Sequence, residues 1–600
     1  MRGARGARLG LVVAGLTLLA LVLRLVAFGD SLYGDELFTL DDTSSDFAGI
    51  FDGLDRNEVN PPLFYILAWG FGQLGDALSL LRVPSLVLGT AVVPVTYALG
   101  KRLAGTGTGL LAALLVAISP FAIFYGTEAR AYASATFFAA VAALALLNAL
   151  DRGTRSWWWV VYGLSALAAL YTHYTSIWLV AGTAVWAIWT HRSLARRVVL
   201  VLALVALAYL PWVPEVMEQS DKDLYIAAVG LSSELSAKTA FEYPARLVTG
   251  HPFRQLQDIP GSAWLVLLAA GIAVALAALV PRARRPGVSS EPVKLAYVAI
   301  LALAVPVCVF GYSLVADDLY APRNLIAALP GLAIAIAWAV TALRPPVAAA
   351  AALLIVVPVA AGTARGLERS NRRPDSDAAA RYIERKARPG DPVAAGLGDV
   401  GTLQLYLDGH EVLSEEDPGV WRAADRGRTV FLVHGEVGDL ALLPRFAGPL
   451  GRYELSAHED LAGLRELGVG QYRGPVTARL DGDAIRLSTG RRIAITPGAV
   501  IGARDEAAGA GGALTVAGWA LDRRSRRPAD AVFVMNGRRC LAVVSPNLQR
   551  GDLAGAFGRQ ANASGFRLQI PVAREEEVAA SPGLRLYAAA GNHATELPAP

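Results

Sequence analysis

Five short stretches hold residue types that could do chemistry. Tyr33-Gly34-Asp35-Glu36 puts two adjacent carboxylates just after a long apolar run, where one could accept a proton. The same acids could instead cap a helix running through Leu37 to Phe47, since helix N-termini favour negative charge. Asn60-Pro61-Pro62 has the prolines of a helix start at a membrane surface. Glu128-Ala129-Arg130-Ala131-Tyr132 sets a carboxylate and a guanidinium at the edge of a span, where ionisable groups are functional or paired with each other. His173-Tyr174 and Asp317 to Arg323 occupy two further turns. A lone histidine at an interface is more often a packing residue than a ligand. Together these turns supply acids, arginines, a histidine and tyrosines, a set suited to a phosphate-bearing substrate, because arginine forks match phosphate oxygens.

The elements that must position these turns are membrane spans. The chain has 600 residues, 54% of them hydrophobic and only 18% charged, well below the usual quarter. Apolar runs approaching the ~20 residues needed to cross a bilayer recur from Leu9 to about Gly362 and then stop. About eleven spans are expected: 9–28, 83–100, 108–126, 133–150, 157–172, 175–190, 198–213, 263–281, 294–315, 325–343 and 346–363. Leu9 to Gly29 ends without a convincing cleavage site and is taken as a retained first span.

With the N-terminus in the cytoplasm, Lys101-Arg102, Arg152 with Arg155, His191 to Arg197, Arg282 to Arg285 and Arg344 all fall inside. The residues of interest then share the outer face. Counting 61–81 as a span would invert every later loop, so it is read as interfacial or re-entrant. The pair 157–172 and 175–190 is read as a hairpin with a tight turn at Thr172-His173. The net charge of +4 lies in short clusters between apolar runs, which marks orientation and argues against nucleic acid. Cys308 and Cys540 lie in an apolar run and the far C-terminal part, and form no disulfide framework.

The order of motifs, Gly34-Asp-Glu36, Asn60-Pro-Pro-Leu-Phe-Tyr65, Leu81-Arg-Val-Pro-Ser85, Tyr125 to Tyr132, Tyr171-Thr-His-Tyr174 and Pro322-Arg-Asn324, resembles glycosyltransferase family 39 of the GT-C superfamily. That group is similar to protein O-mannosyltransferases, lipid A aminoarabinose transferases and RgtA/B/C/D-like transferases, and the likeness covers about residues 9–400. The resemblance implies an inverting transfer of a sugar from a polyprenyl-phosphate donor to a cell-envelope glycan, lipid or protein acceptor, on the outer face of a bacterial cytoplasmic membrane; with no metal motif in the sequence, the transfer is expected to be metal-independent. It implies Asp35 as general base and Glu36 as support for the acceptor or the loop. Arg130 with Glu128, Arg323 and His173 would hold the donor phosphate, and Asn60 and Tyr132 would line the substrate loop. Asn60 stands where many relatives carry a histidine or lysine. No cofactor is expected, and Glu128 with His173 offers just two ligands to a metal.

The expected domains are a transmembrane GT-C-like catalytic domain over 1–365 with its first outer loop at 29–82, an extracytoplasmic α/β domain over 366–475, a connecting segment at 476–510 and a β-sandwich module over 511–600. The α/β domain rests on helices near 376–387 and 402–407 and strands near 392–395 and 428–433. Short β-rich runs at 514–520, 531–535, 566–570 and 584–589 suggest the sandwich. Two other function classes fit the sequence: a non-catalytic glycan-binding scaffold or transporter, and a glycan polymer ligase. A transporter would keep its ionisable groups near the midplane, not at one interface.

Overall fold

The computed structural model describes residues 2–219, 235–250, 266–267, 269–273, 291–396, 399–435, 443–461, 467–510, 512–571 and 583–598. The chain forms two compact units, Met1–Asn371 and Arg372–Pro600.

The first unit is helical and makes the chain a multi-pass membrane protein. Among the described residues, seven helices are long and apolar enough to cross a bilayer: Gly6–Phe28, Ala77–Ala104, Tyr132–Arg152, Arg192–Gln219, Pro292–Ser313, Pro322–Thr341 and Pro345–Gly366. Shorter apolar helices cover Thr106–Ala117, Trp158–Leu170 and Ser176–Thr190. The expected span at 263–281 lies largely outside the described residues. Helix Tyr132–Arg152 is the most enclosed, with 72% of its apolar window buried against 17% for Gly6–Phe28. Its Ala139, Ala142, Ala143 and Ala149 lie inside, and such small residues let neighbouring backbones approach closely. Gly153, at φ +77°, ends it in a conformation that favours glycine.

Two expectations meet breaks in the chain. The span expected at 108–126 is interrupted: one helix ends at Ala117, and Ser119, accepting a hydrogen bond from Ala122 N at 3.2 Å, starts the short helix Pro120–Tyr125. Serine before proline is a strong N-cap signal that the apolar run conceals. The 61–81 run yields the ten-residue helix Leu63–Gly72, then a new start capped by Asp76. Ten residues extend about 15 Å, half of a ~30 Å hydrocarbon core. Residues 157–190 form two helices with Tyr171–Thr175 between them, the hairpin and not one long helix.

The second unit opens with an α/β layer. Strands β1 (Val393–Ala395), β2 (Val412–Ser414), β3 (Val430–Gly435), β4 (Phe446–Ala447), β5 (Tyr453–Leu461) and β6 (Leu467–Arg473) form one sheet in the order β2-β1-β3-β6-β5-β4. β1 pairs in parallel with both β2 and β3, and helices Ser376–Lys386 and Pro418–Asp425 place Ile383 and Trp421 in its two cores. The stretch at 476–510 is not a connector. It supplies Ala478–Asp481, Ala484–Leu487 and Arg492–Ile495 to a closed barrel completed by Ala531–Asn536, Arg539–Val544, Leu584–Ala590 and His593–Glu596. Its strands are four residues long and carry exposed Arg479, Asp481 and Arg486, so they show too little apolar alternation to be read as strands. The expected sandwich is this barrel plus a three-stranded sheet of Val500–Ala510, Ala513–Asp522 and Gly565–Pro571. Trp519 is half-buried and packs with Phe557 against the core residues Leu521 and Leu553.

Candidate functional site

The turns singled out in the sequence meet at one end of the helical unit. Its basic helix ends lie at the other, where Arg102 in the last turn of one span pairs with Asp151 in the last turn of another. Gly34 adopts φ +57°, a left-handed turn that costs other residues about 1–2 kcal/mol, and it starts the helix Glu36–Asp42 with Asp35 at its N-cap position.

The Asp35 side chain makes no capping hydrogen bond. Its Oδ2 accepts instead from Arg323 Nη1 at 3.0 Å, across 288 positions of sequence. The two side chains are 40% and 37% exposed. Asp35 thus faces the open end of the unit and not its own helix.

Glu36 lies the other way and is fully buried. One of its oxygens accepts from Arg82 Nε and from Ala129 N, both at 2.7 Å; the other accepts from Arg82 Nη2 at 2.6 Å and from Tyr33 N at 3.1 Å. Arg82 also donates to the backbone oxygens of Phe28, Asp30 and Ser31. This pair clamps the turn that carries Asp35 to the start of the next long helix. Both oxygens of Glu36 accept hydrogen bonds from this loop and its neighbours, an arrangement that suits the expected support of the loop. The cause is burial: a desolvated carboxylate persists only with a cation and hydrogen bonds around it.

Arg130 forms a second buried fork. Its Nη2 donates to Glu58 Oε1 at 3.0 Å, its Nη1 to the other oxygen of Glu58, and Nη1 also reaches the Asp35 carbonyl at 3.3 Å. Burial alone would raise the Glu58 carboxyl, but the Arg130 charge and hydrogen bonds outweigh it and hold it below its usual range. Asn60 Nδ2 donates to Glu58 Oε1 at 2.7 Å, as does Val59 N at 2.9 Å. Arg130 and Asn60 thus both hydrogen-bond Glu58 in the first outer loop. Ser85 Oγ and Thr39 Oγ1 fix the same segment by donating to the carbonyls of Arg130 and Ala129.

His173 sits under this network. Its Nδ1 lies 2.9 Å from Thr175 Oγ1, whose hydroxyl donates to the Asn324 carbonyl at 2.9 Å, linking the 173 turn to the one bearing Arg323. Burial, then the nearby Arg323 and Arg130 cations, push the His173 pKa down to about 4. A neutral imidazole is the result at working pH, so His173 brings no positive charge to a phosphate. Tyr132 packs between Tyr125, edge-on with ring centroids 4.8 Å apart, and His173, tilted at 5.5 Å. Glu128 is buried within electrostatic reach of both tyrosines. Leu63 N donates to the Tyr171 carbonyl at 2.9 Å, bringing the first outer loop onto the same turn.

Glu58, Arg82 and Arg24 were given no role from sequence. Arg24 lies wholly buried inside the first span, donates to the carbonyls of Ala20 and Ala122, and packs so close to Gly126 that a Cβ there would meet Nε at 2.5 Å. An arginine within an apolar span is itself the signal of such a tie. Arg82 at a helix N-terminus, where the dipole disfavours a cation, is another. Among the described residues, one grouping brings three metal-capable groups together: Asp55, Glu215 and Glu218, within 4.8 Å of one another. It includes neither Glu128 nor His173.

No curated protein matches the chain. Solved structures with similar folds include ArnT from Cupriavidus metallidurans bound to undecaprenyl phosphate, with 13% identity and a TM-score of 0.46 over 77% of this chain and 98% of that one. They also include the Archaeoglobus fulgidus oligosaccharyltransferase AglB with an inhibitory peptide and a dolichol-phosphate, with 11% identity and a TM-score of 0.40 over 71% of this chain and 69% of that one. Residues 59–214 match the family model described as dolichyl-phosphate-mannose-protein mannosyltransferase. That stretch contains Asn60, Glu128, Arg130, Tyr132 and His173 and stops short of Arg323, while Asp35 and Glu36 precede it. Over residues 59–214 the membrane unit is similar to that mannosyltransferase family.

Proposed function

We propose that this chain transfers a glycosyl group from a polyprenyl-phosphate donor to an acceptor hydroxyl, at the outer face of a bacterial cytoplasmic membrane. The observation that carries this reading is the Asp35–Arg323 pair: a carboxylate and a guanidinium side by side and partly exposed, while Glu36 and Glu58 hold the two neighbouring arginines in buried forks.

Asp35 takes the proton of the acceptor hydroxyl as its oxygen bonds to the anomeric carbon from the face opposite the phosphate, which inverts that centre. The bond between the anomeric carbon and the phosphate oxygen breaks with its electron pair. The carrier leaves as polyprenyl phosphate, its growing negative charge met by Arg323. The proton on Asp35 then passes to solvent or to the departing phosphate. Glu36, Arg82, Arg130 and Glu58 act as positioning residues. The step draws on no metal.

Arg323→Ala is expected to weaken binding of the lipid-phosphate donor by about 1.5–3 kcal/mol, the range of a lost charge-assisted hydrogen bond. Arg130→Ala is expected to lower thermal stability first, because it strands Glu58. Donor titration alongside thermal melting separates the two, and an Arg323→Ala protein with unchanged donor affinity contradicts the phosphate role. For orientation, cysteines replacing exposed Arg155 and Asp483 in a Cys308→Ser, Cys540→Ser background are the probes. An impermeant thiol reagent is expected to label position 483 on intact cells and position 155 only after lysis, as the positive-inside bias requires. The reverse pattern contradicts the threading.

A further inference from the structure

The geometry points to the Asp35–Arg323 pair as a latch that the donor phosphate opens: phosphate takes Arg323, and Asp35 becomes free to act only on a loaded site. This rests on the lipid-phosphate reading above.

Three of the acid–arginine pairs at this end of the unit differ in kind. Arg82–Glu36 and Arg130–Glu58 are buried forks in which two guanidinium nitrogens meet two carboxylate oxygens. Breaking either would strand a charge out of reach of water. Arg323–Asp35 is joined end-on by one hydrogen bond, with both partners partly solvated. A partly exposed pair of that geometry contributes little, while a phosphate can accept two parallel hydrogen bonds from one arginine. Arg323 keeps those donors: among the described residues its Nε and Nη2 have no partner. Exchange therefore favours the phosphate.

Release also leaves the base in place. The Asp35 backbone carbonyl accepts from Thr39 N at 3.4 Å and from Arg130 Nη1 at 3.3 Å, and its side chain caps nothing. Freeing the carboxylate thus asks for a side-chain movement alone. The consequence is an order of events, in which an empty site presents a paired carboxylate and a loaded site presents a free one.

Competition for one guanidinium is measurable without knowing the sugar or the acceptor. The probe is undecaprenyl phosphate, titrated against the full-length protein in nanodiscs as wild type, Asp35→Asn, Arg323→Gln and the double variant, each first checked for an unchanged melting curve. Asp35→Asn is expected to bind the probe more tightly, by about fivefold to tenfold, and Arg323→Gln more weakly. In the Arg323→Gln background the Asp35→Asn change is expected to have no effect. Asp35→Ala, which cannot hydrogen-bond Arg323 through its side chain, is expected to tighten binding at least as much.

Unchanged or weaker binding by both Asp35 variants overturns the latch and leaves the lipid-phosphate reading intact. Equal tightening with and without Arg323 also overturns it, since removal of a nearby negative charge would then suffice. A wild-type protein that does not bind the probe overturns the lipid-phosphate reading itself, and the latch with it.

Discussion

Asp35→Asn is expected to abolish transfer while leaving the protein folded and inserted. The substitution is nearly isosteric, yet an amide cannot take up the acceptor proton, and loss of a general base costs on the order of a hundred- to ten-thousand-fold in rate. The competing reading, in which Asp35 caps the helix Glu36–Asp42, predicts a different signature. A lost cap costs about 1 kcal/mol of local stability, and asparagine would preserve most of it. In the structure the Asp35 side chain accepts no hydrogen bond from that helix and instead faces Arg323. Transfer by purified Asp35→Asn at close to the wild-type rate would leave the general-base assignment without support.

The second large effect belongs to Arg82. Arg82→Ala is expected to destabilise the membrane unit by about 3–5 kcal/mol, because it leaves the buried Glu36 carboxylate without its cation. It also strips hydrogen bonds from the carbonyls of Phe28, Asp30 and Ser31, which form the approach to Asp35. The measurement is a thermal melt in detergent, compared with Glu36→Gln and with the double variant. Replacing both partners removes the stranded charge, so Arg82→Ala with Glu36→Gln is expected to melt above Arg82→Ala alone. A single variant as stable as wild type would contradict the clamp.

These two residues show what was legible in the sequence. Asp35, Arg323, His173 and Tyr132 could be placed on one side because span length and flanking charge fix which turns share a face. The partner of each arginine could not. Glu58 is one of several acids in a long loop, with Asp52 and Asp55 close by, and no local pattern says which of them turns inward to meet Arg130. Arg82 and Arg24 gave signals in a helix N-terminus and an apolar span, but both signals announce a partner without naming it. In the second unit, the strands at β1 and β3 and at 513–522, 531–536, 565–571 and 584–590 are legible within a few residues, as short apolar runs set off by Gly, Asn, Asp and Pro. The four-residue strands at 478–495 are not, and with them goes the closure of the barrel.

The central claim is that one end of this helical unit seats a lipid phosphate on Arg323 beside a carboxylate base. A structure of the full chain with undecaprenyl phosphate bound tests it most directly. The expected result has the phosphate oxygens hydrogen-bonded to the Arg323 guanidinium and the Asp35 carboxylate released towards the acceptor side, with the Arg82–Glu36 and Arg130–Glu58 forks unchanged. A phosphate seated at the opposite, basic end near Arg102, or bound while Arg323 and Asp35 stay paired and apart from it, would contradict the account.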